Sequence, residues 1–168
     1  MTRASIRNRF HCIAAFAVAS AIPAPAWANH WFMGEPVRTG DSVQLAGIDR
    51  DSIGRDADNV LHVTLVSFAG SKKRSIKTIA QLNVDCAKRA FQQTRLSLER
   101  SDGERRTMLS NGPDWEEPNE ALGAMLIDAA CKLDFSSLND LRDESPERYA
   151  SRFARFKVWG RGSGHREP

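Results

Sequence analysis

The sequence holds only three cysteines among its 168 residues, and a single tyrosine, Tyr149. No Cys-x-x-Cys pair occurs, which removes the usual signature of a redox-active dithiol. No Gly-x-Ser-x-Gly turn is present to hold a hydrolase nucleophile. Phosphate-binding glycine loops and internal repeats are also missing. Beyond the first 28 residues no apolar run is long enough to span a bilayer.

What is there begins with a leader. Arg3, Arg7 and Arg9 form a basic start, Cys12 to Ile22 a short apolar stretch, and Ala26-Trp27-Ala28 a small-residue cleavage pattern. Residues 1–28 therefore read as a secretory signal peptide, cut between Ala28 and Asn29. Arg9-Phe10-His11 is the wrong context for lipidation of Cys12, which needs small and aliphatic residues before it. Of the 24 basic residues the leader takes three, leaving 21 against 21 acidic ones, so the mature chain is formally neutral. That balance gives no warrant for a nucleic-acid partner. Export places the chain in the periplasm, at the cell surface or outside the cell. There Cys86 and Cys131, 45 positions apart, are expected to form a structural disulfide.

The mature chain suffices for one domain with a real core. Asn29–Phe32, Ser42–Asp49 and Val60–Phe68 read as strands, the last apolar on both faces and so central. Arg50–Asn59 is rich in Asp, Ser and Gly and reads as a loop. Ser75–Cys86 alternates, with Ile76, Ala80, Leu82, Val84 and Cys86 on one face and Lys77, Gln81, Asn83 and Asp85 opposite. Phe91–Leu98 and Arg106–Leu109 follow around an Asp102-Gly103 hairpin signal. Pro118 opens a helix whose Ala121–Cys131 stretch has Asp128 as its one charged residue, so most of its circumference should be buried. The expected fold class is α+β: an antiparallel sheet of five to six strands with one packed helix tied to it by the disulfide. The domain is expected to end at Cys131. Residues 132–168 then form a linker, a basic amphipathic helix capped by Ser145, and a tail.

Candidate chemistry is sparse. Asp49-Arg50-Asp51-Ser52-Ile53-Gly54 starts like a calcium loop, but Ile53 and Val60 occupy positions that require oxygen ligands, so an Asp-rich turn is the better reading. His30, second in the mature chain, could hold copper weakly. His62 reads as a satisfied histidine near the core rather than a catalytic one. Glu116-Glu117 are adjacent and do not face each other across a substrate. No catalytic set, metal site or cofactor follows from these residues. Lys72, Lys73, Arg74, Lys88, Arg89 and Arg95 could form a basic surface for sulfated polysaccharide or an acidic protein, against a plain reading as solvated strand ends. Tyr149, Phe153 and Phe156, with Arg152 and Arg155 beside them, either dock on the domain or a second copy, or lie on an anionic membrane surface.

The order of landmarks resembles the surface-adhesin protein E family of exported bacterial proteins, over residues 29–131. Trp31 stands near the mature N-terminus. Gly47-Ile48-Asp49-Arg50-Asp51-Ser52-Ile53 is similar to that family's apolar–Asp–x–x–Ser–Ile element, and Val84-Asp85-Cys86 to its strand-ending acidic residue and cysteine. Trp115, Pro118 and a helix ending in Cys131 are similar to its closing segment. The resemblance implies a sheet of about six strands with a disulfide-bonded helix, and a non-enzymatic surface protein binding host extracellular-matrix or plasma proteins. Leu96 and Leu98 depart from it, lying where the family carries an aromatic residue, and residues 132–168 have no counterpart. The alternatives are an accessory periplasmic protein that self-associates through its C-terminal helix, and a periplasmic enzyme.

Overall fold

The structure, a computed structural model, describes residues 29–70, 74–110, 114–153 and 156. The leader with Ala28, and Lys72, Lys73 and Arg155, lie outside them.

The elements run β1 (Trp31–Met33), β2 (Val37–Thr39), β3 (Ser42–Arg55), β4 (Leu61–Gly70), β5 (Ser75–Asp85), β6 (Ala90–Arg100), β7 (Arg105–Leu109), α1 (Ala121–Lys132), β8 (Asn139–Asp140) and α2 (Pro146–Ser151). The strands form one antiparallel sheet in the order β7-β6-β5-β4-β3-β1-β8, with β2 also paired to β3. Leu61–Gly70 is the middle strand of that path, as its two apolar faces demand. Residues with odd numbers in β4 (Leu61, Val63) and even numbers in β5 (Leu82, Val84) face α1; Val66 and Phe68 face the other way.

The sheet is therefore apolar on both sides. Beneath α1, Leu126, Ile127, Ala129 and Ala130 pack on Ile48, Leu61, Val63, Leu82 and Val84. Cys86 and Cys131 close this layer, with Cα atoms 5.6 Å apart. The loop so closed spans 45 residues, for which chain entropy gives a stabilisation of about 4 kcal/mol. On the opposite side, Leu141, Tyr149, Ala150 and Phe156 cover Trp31, Met33, Val43, Leu45, Val66 and Phe68.

Three expectations are corrected here. The sheet has eight strands among the described residues rather than five or six. The additional ones, β2 and β8, are three and two residues long, too short for alternation to reveal, while the strand expected at Asn29–Phe32 is present as β1. The stretch expected as a loop after Asp49 continues as β3 to Arg55, across a wide bulge where pairing with β4 jumps from Asp49/Thr64 to Gly54/His62. Finally, the chain beyond Cys131 is not a separate extension. It supplies β8, which pairs with β1, and four of the ten buried residues of the second core cluster. Its sequence looked polar because one face of each short element is wet.

Two glycines permit close approach of layers. A Cβ on Gly47 would fall 2.1 Å from the Met33 sulfur and 2.7 Å from the Phe32 carbonyl oxygen, so β1 can lie against β3 only there. A Cβ on Gly34 would fall 2.8 Å from Leu122, the residue that seats the first turn of α1.

Candidate functional site

The Asp-x-x-Ser-Ile element builds the β3 bulge. The Asp49 carboxylate, 4% exposed, accepts the Asp51 N–H at 3.1 Å. The Ser52 hydroxyl donates to the Asp49 carbonyl at 2.7 Å and accepts the Thr64 N–H at 2.8 Å. Burial pushes the Asp49 carboxyl above its ordinary range, and backbone N–H groups, including that of His30, act against the rise. These residues thus replace ladder bonds that the bulge removes. Among the described residues no group of three or more side chains is placed to hold a metal ion.

Each of the two described histidines has a carboxylate partner. His30 Nε2 lies 2.6 Å from Asp140, whose carboxyl is held below its ordinary range by that contact and by the Arg142 N–H. The contact ties the residue just before β1 to β8. His62 is exposed rather than near the core, with Nδ1 2.7 Å from Asn83 Oδ1 and Nε2 3.2 Å from Asp56. Glu116 serves the fold through its backbone, bridging Phe91 with two bonds of 2.8 Å.

The four described basic candidates, Arg74, Lys88, Arg89 and Arg95, are not brought together. Lys88 and Arg89 sit in the β5–β6 turn, where Lys88 pairs with Asp85 and Arg89 with Asp128 of α1. Arg74 is exposed at the opposite end of β5, and 11 residues of strand separate the two ends by roughly 35 Å. Arg95 lies in mid-strand on β6.

The aromatic stripe expected for a partner or a membrane is spent on the domain itself. Tyr149 is 7% exposed and Phe156 fully buried, its ring 6.0 Å from that of Phe68. Phe153 packs edge-on against Tyr149, and Arg152 stacks over the Tyr149 ring while pairing with Glu144. Of the alternatives open in sequence, docking on the chain's own sheet is the observed one. Ser145 caps α2 by accepting the Arg148 N–H. Lys77 reaches from β5 to Glu147 of α2 and to Glu99 of β6. Burial raises the Glu147 carboxyl, and the hydrogen bond and charge of Lys77 overcome that and leave it below its ordinary value. None of the described helices is long and apolar enough to cross a membrane.

The least satisfied surface is the α1 side of the sheet where α1 does not reach. Register aligns its side chains in rows. One row runs Leu61, Val84, Phe91; the next Val63, Leu82, Gln93. These large side chains fill the space under the helix. The following rows run Ile48, Leu65, Ala80, Leu96, Met108 and Ala46, Ser67, Thr78, Leu98, Arg106. Side-chain size thus falls to Ala, Ser and Thr in the middle strands, and a cleft of about 230 Å³ opens between the sheet and the first turn of α1. Ala46, Leu65, Ala80, Leu122 and Leu126 line it, with Gln44, Ser67, Thr78 and Glu120 among its polar residues. Toward the sheet edge the same surface continues as Leu96 and Leu98, half-buried, then Ile76, 36% exposed, and Met108, 45% exposed. Neither cleft nor strip is legible in the sequence. The one trace is the set of small residues at Ala46, Ser67 and Ala80, and only the register of three strands makes them neighbours.

No family model, no curated protein and no solved structure matches this chain.

Proposed function

We propose that the chain is an exported, non-catalytic binding protein of the bacterial envelope or surface, with host extracellular-matrix or plasma proteins as its partners. The observation that carries this reading is the apolar strip of Ile76, Leu96, Leu98 and Met108 beside α1. Contiguous exposed apolar surface on a folded domain marks an interaction site. The disulfide, placed to fasten α1 to the sheet, suits an oxidising compartment. The landmark order that resembles the protein E family points to the same partner class. Self-association through the C-terminal helix has less support, because Tyr149 and Phe156 are already buried.

The test is binding of the mature chain to immobilised matrix and plasma proteins, beside a double variant Ile76→Asp and Met108→Asp. Both side chains are partly exposed, and circular dichroism checks that the variant keeps its fold. Saturable binding by the parent, lost in the variant, is the expected result. Absence of saturable binding by the parent, or equal binding by both, refutes the reading.

A further inference from the structure

We propose that the cleft between the first turn of α1 and the sheet is a small-ligand site for an amine with an aromatic or aliphatic body. It is a second site beside the protein-binding strip and does not depend on that strip's function. The apolar body would lie on Ala46, Leu65 and Ala80 against Leu122, and the ammonium at Glu120.

Three observations carry it. First, the size is right. A 150 Å³ apolar cavity accepts a benzene ring, and this cleft of about 230 Å³ has room for a fused ring. Second, the lining is mainly apolar with a few hydrogen-bonding groups, the usual make-up of a small-molecule site. Third, Glu120 is the one charged residue lining the cleft, and its side chain makes no capping hydrogen bond to α1. The unpaired amides at the start of α1 carry about half a positive charge. The full negative charge of Glu120 outweighs them, so a cationic head is favoured and a carboxylate head meets like charge.

The experiment uses two probes with one body, tryptamine and indole-3-propionate, titrated calorimetrically into the disulfide-bonded mature chain. Tryptamine should bind saturably at one site and indole-3-propionate at least tenfold more weakly. Glu120→Gln should bring the two together. Ala80→Leu, which fills the cleft, should abolish tryptamine binding, with Thr78→Leu as a second filling variant if the first unfolds. Equal affinity of the parent for both probes, no saturable tryptamine binding, or binding unchanged in a folded filling variant would overturn the proposal. Since neither probe is a protein, these outcomes stand apart from success or failure of matrix-protein binding.

Discussion

Replacing Phe156 with Ala tests whether the C-terminal segment is a layer of the domain. The side chain is fully buried, and its ring meets Phe68, which is also fully buried. Phe→Ala in a core costs about 3–5 kcal/mol, transfer and cavity together. A domain of this size has a total stability of about 5–15 kcal/mol, so the loss is a large share of it. At about 3–4 °C per kcal/mol for such a chain, the melting temperature should fall by roughly 9–20 °C. The assay is thermal unfolding by circular dichroism on the oxidised chain from Asn29, with Leu109→Ala as control. Leu109 is 69% exposed, and its loss should change stability by no more than about 0.5 kcal/mol. A fall in the Phe156 variant no greater than in the control would refute the covering role. The same reasoning extends to truncation after Leu133, which removes Leu138, Leu141, Tyr149 and Phe156. At about 1.5–3 kcal/mol for each large side chain, the loss is roughly 6–12 kcal/mol, offset in part by the freedom the segment regains. The truncated chain should be unfolded or molten, not the independent domain that the sequence pattern suggests.

Leu133 ends α1 in the left-handed conformation with φ 52° and is 64% exposed. Leu133→Gly should therefore stabilise the domain by about 1 kcal/mol, read as a higher melting temperature. Ser52→Ala removes the hydroxyl bridging Asp49 and Thr64 and should cost about 1–3 kcal/mol in urea unfolding, because both backbone groups lose a partner. Glu147 has a folded pKa below its unfolded value. Its contribution is thus complete above the unfolded value of about 4.3 and is lost as pH falls through the folded one. Glu147→Gln should flatten the decline in stability below about pH 4.3; an unchanged acid limb would show that Lys77 does not hold α2 through this carboxylate. Thiol labelling of the denatured, unreduced chain from Asn29 onward should find no free cysteine. Changing both Cys86 and Cys131 to Ala should cost about 2–5 kcal/mol.

Much of the sheet was legible because its central strands are long. Leu61–Gly70 and Ser75–Asp85 have enough residues for alternation to stand out, and α1 announces itself by an apolar stretch after Pro118. What failed was local. Asp49, Asp51 and Ser52 have loop composition, yet they sit in a strand because their side chains supply the hydrogen bonds of a bulge. Ser136–Glu144 looks like a linker because its buried residues, Leu138 and Leu141, are isolated among polar ones.

By itself, the sequence determined the disulfide partners, the central strands, the buried helix and the cap at Ser145. Each rests on a pattern within one stretch of chain or on there being only two cysteines beyond residue 28. Only the tertiary structure decided that Leu141, Tyr149, Ala150 and Phe156 cover the second face of the sheet. It alone placed the basic residues at opposite ends of β5 and brought Ala46, Ser67, Thr78 and Ala80 together as the floor of a cleft. The physical reason is register. Which side chains share a row depends on how neighbouring strands slide against one another, and hydrogen bonds between distant stretches set that.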